Sequence, residues 1–165
     1  MKPASAPAPA PSAPDVDINA PLKARYLYNF AKYVDWPADK KQGNFVIGVM
    51  GESSLYDEMA KLYANKKVGS QTLVIKKLAS VEEASGCNIL FVPTKQQSKV
   101  GTIAQKSRSN SILIVTEKSG SLNQGAVINF FVQNSRIAFE LSKRNAEKYK
   151  LTLGQDIVKF AAKVQ

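Results

Sequence analysis

Four short apolar segments of strand length constrain the fold of this chain more than any other feature. They are NFVIGVMG (44–51), TLVIKKL (72–78), CNILFVP (87–93) and SILIVTEK (111–118). The first and third are continuous apolar runs closed by Gly51 and Pro93, a pattern typical of strands buried on both faces. The sequence therefore predicts a sheet with helices on both sides.

Helical segments are expected between these strands. The first, LKARYLYNFAKYVDW, repeats apolar residues at helical spacing and should stop near Trp36, because Pro37 disfavours helix in the residue before it. Strands that alternate with helices are joined by right-handed crossovers and form a parallel sheet. The predicted helices cover residues 22–36, 53–67, 80–85 and 95–107.

The C-terminal part follows a different pattern. Residues 126–142, AVINFFVQNSRIAFELS, predict two strands joined at residues 133–135 in a short hairpin. A brief helix from Arg144, a break at Gly154 and a last helix complete the chain. We predict an α/β three-layer sandwich: a mostly parallel central sheet of about six strands with a C-terminal antiparallel hairpin, and helices on both faces.

Composition divides the chain at residue 21. Residues 1–21 are rich in Pro, Ala and Ser, which predicts an extended linker, and residues 22–165 should form a single α/β domain. No apolar stretch of roughly 7–15 residues follows Lys2, so we do not expect residues 1–21 to form a leader peptide. Such linkers often follow a membrane anchor or a cleaved leader, and we expect Met1 to be an artificial start.

The net charge of +10 has two interpretations. A strongly basic domain binds nucleic acid or an anionic membrane, or it simply has a solvated basic surface. The lysines are scattered, and no aromatic-interleaved RNA-binding motif is present. We therefore favour a solvated surface, and the pattern argues against nucleic acid.

Histidine is absent and cysteine occurs once, at Cys87. These facts exclude Ser-His-Asp and Cys-His hydrolysis, histidine-based zinc sites and cysteine-rich metal clusters. Neighbouring carboxylates such as Asp57 and Glu58 do not converge on one substrate atom. We predict no catalytic residue, no metal ligand and no cofactor, with Cys87 as a core residue.

Two glutamates are candidates for a binding site. Glu52 lies in GVMGESS, after a strand and before a helix, where a helix N-terminus could hold an anion; its own charge opposes that, and a simple turn is the favoured interpretation. Glu140 shares a strand face with Arg136 and Ala138. It is either paired with Lys23 or Arg25, or exposed on an edge strand.

The aromatic run NFAKYVDWP (29–37) offers a third candidate. Phe30 continues the apolar helical stripe and belongs to the core. Tyr33 and Trp36 share a neighbouring helical face, about 60° apart. Core packing is the favoured interpretation for Trp36 and Pro37. If this run contacts a partner or ligand, Tyr33 and Trp36 are the expected contacts, because large aromatics dominate interface hot spots.

Several segments together carry a family resemblance: LKARYLYNFAKYVDWP, FVIGVMGES, CNILFV, SILIVTEK, and the closing run from Gly125 to Ala161. Over about residues 22–163, in this order, the chain resembles the YfiR family of Gram-negative periplasmic proteins. The helix ending in WP and the closing RIAFE pattern are specific in combination. The resemblance implies an exported, non-catalytic α/β regulator that can dimerise.

The resemblance also implies a partner. YfiR-like proteins bind the periplasmic sensor region of an inner-membrane diguanylate cyclase and hold it inactive, which limits cyclic di-GMP and biofilm formation. Well-known members carry several cysteines linked to redox control, whereas this chain has only Cys87, so that control carries over only through an intermolecular bond.

Three hypotheses follow. The first is a periplasmic repressor of a diguanylate cyclase or another membrane sensor protein. The second is a small-ligand sensor module that uses the carboxyl end of the sheet, for an aromatic amino acid or an anion, and acts on a membrane signalling protein. The third, nucleic-acid binding through the basic surface, predicts salt-dependent retention of DNA.

Overall fold

A computed structural model describes residues 17–165 as a curled eight-stranded sheet with helices on both sides. The helices are α1 (Ala20–Tyr33), α2 (Ser54–Tyr63), α3 (Val100–Asn110), α4 (Ser121–Gln124), α5 (Lys143–Lys148) and α6 (Gln155–Phe160). The strands are β1 (Val34–Asp35), β2 (Phe45–Met50), β3 (Lys67–Val68), β4 (Gln71–Leu78), β5 (Ile89–Val92), β6 (Leu113–Thr116), β7 (Ile128–Gln133), β8 (Arg136–Leu141), β9 (Thr152–Leu153) and β10 (Lys163–Val164). Three 3-10 segments cover Ala38–Lys40, Val81–Gly86 and Thr94–Lys99.

The large sheet has the strand order β10-β8-β7-β6-β5-β2-β4-β3. Its five central strands, from β4 to β7, are parallel, while β8 returns antiparallel to β7. The predicted α/β fold class and its C-terminal hairpin are confirmed. The two further strands, β3 and β10, are two-residue edges too short to give a sequence pattern.

Helices pack on the sheet from both sides. On one side α1 contacts α2 and α6, and Phe30 lies edge-on to Phe139 at 5.1 Å between ring centroids. The 3-10 segment Val81–Gly86 and α4 pack against α3. Right-handed crossovers place α3 on the opposite face from α2, because the chain reverses its direction across the sheet after β4.

Helix α1 ends earlier than the sequence predicts. It stops at Tyr33, and Val34 is extended with φ −105° and ψ 142°. Val34 and Asp35 pair with Leu153 and Thr152 in a small antiparallel sheet. Backbone groups that are hydrogen-bonded in this sheet cannot also form the next turn of the helix. Trp36 therefore lies outside the helix, and the predicted shared helical face of Tyr33 and Trp36 is wrong.

Gly154 closes the small sheet. Its N–H donates to the Tyr33 carbonyl at 3.0 Å, and a Cβ at this position would lie 2.6 Å from the same oxygen. The predicted break in the last helical region thus has a steric cause. A side chain at residue 154 would push α1 away from β9.

The N-terminal boundary also differs by a few residues. Residues 1–16 of the predicted linker lie outside the described part of the chain. Helix α1 begins at Ala20, with Pro21 in its first turn. The division into a linker and one domain remains a prediction. Among residues 17–165, no helix is long and apolar enough to cross a bilayer.

Candidate functional site

A cleft of about 1120 Å³ lies at the carboxyl ends of the parallel strands. The strand order reverses between β2 and β5, and ligands of open α/β sheets bind at such switch points. The loops after β2, β5 and β6, the start of α1 and the β7–β8 hairpin form its walls. Its charged lining residues are Asp17, Lys23, Glu52, Asp57, Lys95, Glu117, Glu140 and Lys163.

Lys23 connects the start of α1 to the sheet. Its buried ammonium donates to Asp17 at 2.5 Å and to Glu117 at 2.8 Å. Glu117 also accepts hydrogen bonds from the backbone N–H of Thr94 at 2.9 Å and from the Thr94 hydroxyl at 3.3 Å. Burial lowers the pKa of Lys23, but the hydrogen bonds and charges of the two carboxylates outweigh it, so the pKa is raised. The ammonium therefore stays charged and holds three segments together.

A second polar chain runs beneath the hairpin. The buried Thr116 hydroxyl donates to the Asn129 side-chain oxygen at 2.7 Å. The Asn129 amide nitrogen in turn donates to Glu140 at 2.9 Å. On the neighbouring strand β10, the Lys163 ammonium lies 5.2 Å from the centroid of the Phe131 ring. The wall of the cleft at β7 and β8 thus combines a carboxylate, a cation and an aromatic ring.

Electrostatics set this cleft apart from the rest of the surface. Five carboxylates and three lysines line it, although the chain as a whole carries +10. Such a lining suits molecules that carry an amine or both signs of charge. Within residues 17–165, no group of three Cys, Asp or Glu residues is placed to hold a metal ion.

The structure divides the residues that the sequence singled out. Glu52 and Glu140 both line the cleft. Glu52 is exposed and pairs with Lys77 at 3.0 Å. Glu140 is half-buried, but neither proposed environment is correct: its partner is Asn129 rather than Lys23 or Arg25, and β10 covers the strand edge.

Tyr33, Trp36 and Pro37 do not line the cleft: Tyr33 is the last residue of α1, at the end away from the cleft, and the other two follow it. The Trp36 ring is 5% exposed and edge-on to Phe45, 5.0 Å between centroids, and its Nε1–H donates to the Asn88 carbonyl at 3.1 Å. Pro37 is half-buried. Tyr33 is 41% exposed. Trp36 is thus a core residue, while Tyr33 stays available at the surface.

Sequence reasoning missed the Asp17–Lys23–Glu117 ion-pair cluster as a unit. One signal was available, because Lys23 stands on the buried stripe of α1, one turn before Leu27. A lysine in an apolar stripe needs buried partners. Glu117 also stands at the carboxyl end of a predicted strand, where ligands of parallel sheets are expected. Asp17 gave no signal, since it falls within the predicted linker.

Cys87 is a core residue, as predicted. The thiol is buried, and burial raises its pKa to about 11. A Cβ on Gly48, in the neighbouring strand, would lie 2.6 Å from the Cys87 sulfur. A thiol in this position is a poor nucleophile and is inaccessible to a second chain.

Solved structures share the fold at low sequence identity. A conserved domain protein from Vibrio cholerae O1 biovar El Tor aligns with a TM-score of 0.59 and 10% identity, over 88% of this chain and 60% of that one. The ABC domain from Streptococcus pneumoniae, in complex with L-Trp, aligns with a TM-score of 0.51 and 13% identity, over 73% of this chain and 55% of that one. These alignments establish the fold alone.

The sequence itself defines the family. A comparison with curated proteins found no match. A profile described as YfiR/HmsC-like matches residues 20–162, from the first residue of α1 to the residue before β10. This span includes every element of the large sheet except β10. The chain therefore belongs to the YfiR/HmsC-like family of periplasmic regulatory proteins.

Proposed function

We propose that this protein binds the periplasmic sensor region of an inner-membrane diguanylate cyclase and holds the enzyme inactive, which limits cyclic di-GMP and biofilm formation. The family match over residues 20–162 carries this proposal. The lining of the cleft supports a binding role, because it includes carboxylates, lysines, side-chain amides and aromatic rings. We further propose that the protein acts in the periplasm and can form a homodimer.

Reconstitution tests this function. The purified protein is added to membranes that contain a candidate cyclase, and cyclic di-GMP formation is measured alongside co-purification with the cyclase's periplasmic region. Repression with co-purification is the expected result. Normal cyclic di-GMP formation and no co-purification with any candidate membrane sensor would contradict the proposal. Light scattering during gel filtration gives the oligomeric state.

Point variants locate the contact. Tyr33→Ser removes an exposed aromatic ring, which is the expected contact if the run at residues 29–37 meets a partner. Val164→Ser is its control, because Val164 has a similar exposure, 44% against 41%, and stands on the edge strand β10, which pairs with β8. Weaker cyclase binding by the Tyr33 variant alone would place the contact at the end of α1. Equal binding by both variants would show that the contact with the cyclase lies elsewhere on the protein.

A small-ligand sensor acting on another membrane signalling protein is the second candidate. The position of the cleft at the switch point favours it, and one structure of similar fold is described as a complex with L-Trp. A thermal-shift screen of amino acids and small anions tests it, since a bound ligand raises the melting temperature by mass action. Glu140→Gln should abolish the shift, and Glu147→Gln, exposed on α5 and outside the cleft, should keep it. A screen without any shift would refute this candidate.

A further inference from the structure

A basic, tyrosine-rich surface lies where the C-terminal ends of α1 and α2 meet. The Tyr28 and Tyr63 rings stack at 4.7 Å between centroids and 21° between planes. The Tyr28 hydroxyl donates to the Lys67 carbonyl at 3.3 Å, and the Lys32 ammonium lies 4.7 Å from the Tyr28 ring centroid. The Lys66 N–H donates to the Tyr63 carbonyl at 3.1 Å, and Tyr33 and Leu62 stand in the last turns of the same two helices. We call these seven residues, Tyr28, Lys32, Tyr33, Leu62, Tyr63, Lys66 and Lys67, the basic tyrosine patch. Its side chains are tied to two helices and an edge strand.

Apolar groups are exposed on this patch. Tyr33 and Leu62 are each 41% exposed, although both belong to helices whose other faces are buried. Burial of such side chains at a membrane or protein surface is favourable, because it removes apolar area from water. Tyrosine is especially suited to a membrane interface, where its ring faces the lipid and its hydroxyl faces water.

The charge of the patch is uncompensated. Lys32, Lys66 and Lys67 are exposed, and none of them forms an ion pair within the described part of the chain. The carboxylates of α2, Asp57 and Glu58, belong to its N-terminal half. The patch is therefore positive, at the opposite end of α1 from the carboxylate-lined cleft.

We propose that the basic tyrosine patch docks the protein on an anionic phospholipid surface. An anionic bilayer presents a continuous negative surface to all three lysines, and its interfacial region also receives the exposed Tyr33 ring and the Leu62 side chain. A single acidic peptide would engage the lysines alone. The proposal does not depend on which protein is repressed, and it gives the three patch lysines, which form no ion pair within the described part of the chain, a role that the repressor function leaves unused.

Vesicle sedimentation tests the proposal. The full chain is mixed with phosphatidylcholine vesicles, with and without phosphatidylglycerol, at low and at physiological salt. We expect phosphatidylglycerol-dependent binding that weakens as salt rises. The triple variant Lys32→Gln, Lys66→Gln, Lys67→Gln should bind about 100-fold more weakly, since each lysine near an anionic surface contributes roughly a factor of five. A Tyr33→Ser, Leu62→Ser double variant should lose part of the binding and keep the salt dependence.

A matched triple variant separates the patch from net charge. Lys118→Gln, Lys143→Gln and Lys148→Gln remove the same charge from other exposed positions. Charges farther than about 10 Å from the membrane are largely screened, so this variant should lose less than roughly threefold. Circular dichroism confirms that both variants fold. Three results would overturn the proposal: no dependence on phosphatidylglycerol, equal losses in both triple variants, or binding to polyglutamate without binding to vesicles.

Discussion

Replacing Trp36 tests whether the aromatic run at the end of α1 serves the core or an interface. The ring is 5% exposed, and a buried tryptophan removes roughly 150–250 Å² from water. At about 25 cal/mol per Å², this burial corresponds to about 4–6 kcal/mol. Measured Trp→Ala changes in protein cores cost about 3–5 kcal/mol, and we expect Trp36→Ala to destabilise the fold by that amount.

Trp36→Phe separates the contribution of ring packing from that of the indole hydrogen bond. It keeps an aromatic ring against Phe45 but removes the indole N–H that donates to Asn88. The Asn88 carbonyl still accepts from the Leu113 N–H at 2.9 Å, so it is not left unpaired. We expect a loss of about 1–2 kcal/mol, from one hydrogen bond and a smaller ring.

Urea denaturation followed by far-UV circular dichroism measures both variants. Trp36 is the only tryptophan of the chain, so its fluorescence independently reports its environment. The wild-type emission should be blue-shifted and resistant to acrylamide quenching. The reasoning is refuted if Trp36→Ala loses less than about 1 kcal/mol while binding of a membrane partner disappears, because that result would make Trp36 an interface residue.

Four other measurements test further contacts. Lys23→Met leaves Asp17 and Glu117 without their buried cation and should cost about 2–4 kcal/mol in urea denaturation, and adding Glu117→Gln should recover part of this loss in a double-mutant cycle. Gly154→Ala should lower the free energy of unfolding by about 1–3 kcal/mol, because the added Cβ would meet the Tyr33 carbonyl. Gly86→Ala is the control, since nothing lies within 4 Å of its added Cβ. Equal losses in the two variants would argue against the steric explanation. Cys87 should react with a thiol reagent only after unfolding, and fast reaction of the native protein at pH 8 would show that the segment before β5 opens. The pKa of Lys23 is raised above 10.5, and the pKa of Cys87 is raised from 9.0 to about 11. Both protonated groups therefore stabilise the fold at neutral pH, and this contribution is lost as the pH rises through their pKa values in the folded state. The free energy of unfolding should fall above about pH 9.

Apolar pattern and turn chemistry predicted the central sheet because each strand is long enough to show its burial. The hairpin illustrates this: Asn134 and Ser135 both have positive φ, as a tight two-residue turn requires, and the predicted tip lies there. The edge strands β3 and β10 escaped prediction because two residues carry no periodicity. Their pairing is decided by neighbouring strands rather than by local sequence.

The predicted end of α1 was wrong for a related reason. Pro37 limits a helix only at the preceding residue, so the local rule allowed helix through Trp36. Pairing with β9, more than a hundred residues later in the chain, stops it at Tyr33. The site was likewise predicted only in part. Glu52 and Glu140 were identified as binding candidates from the sequence, but which cation meets which carboxylate depends on how the ends of the strands converge in the folded chain.

Helix α1 joins the two surfaces of this protein. Lys23 reaches into the cleft, and Tyr33, about 15 Å farther along the same helix, lies in the basic tyrosine patch. A ligand that competes for Glu117 would alter how the first turn of α1 is anchored, and the β1–β9 contact ties its last turn to a different part of the fold. By thermodynamic linkage, any change that such a ligand causes in membrane affinity must be matched by an equal change of ligand affinity at the membrane. Titration of a cleft ligand with and without anionic vesicles would measure that coupling free energy directly.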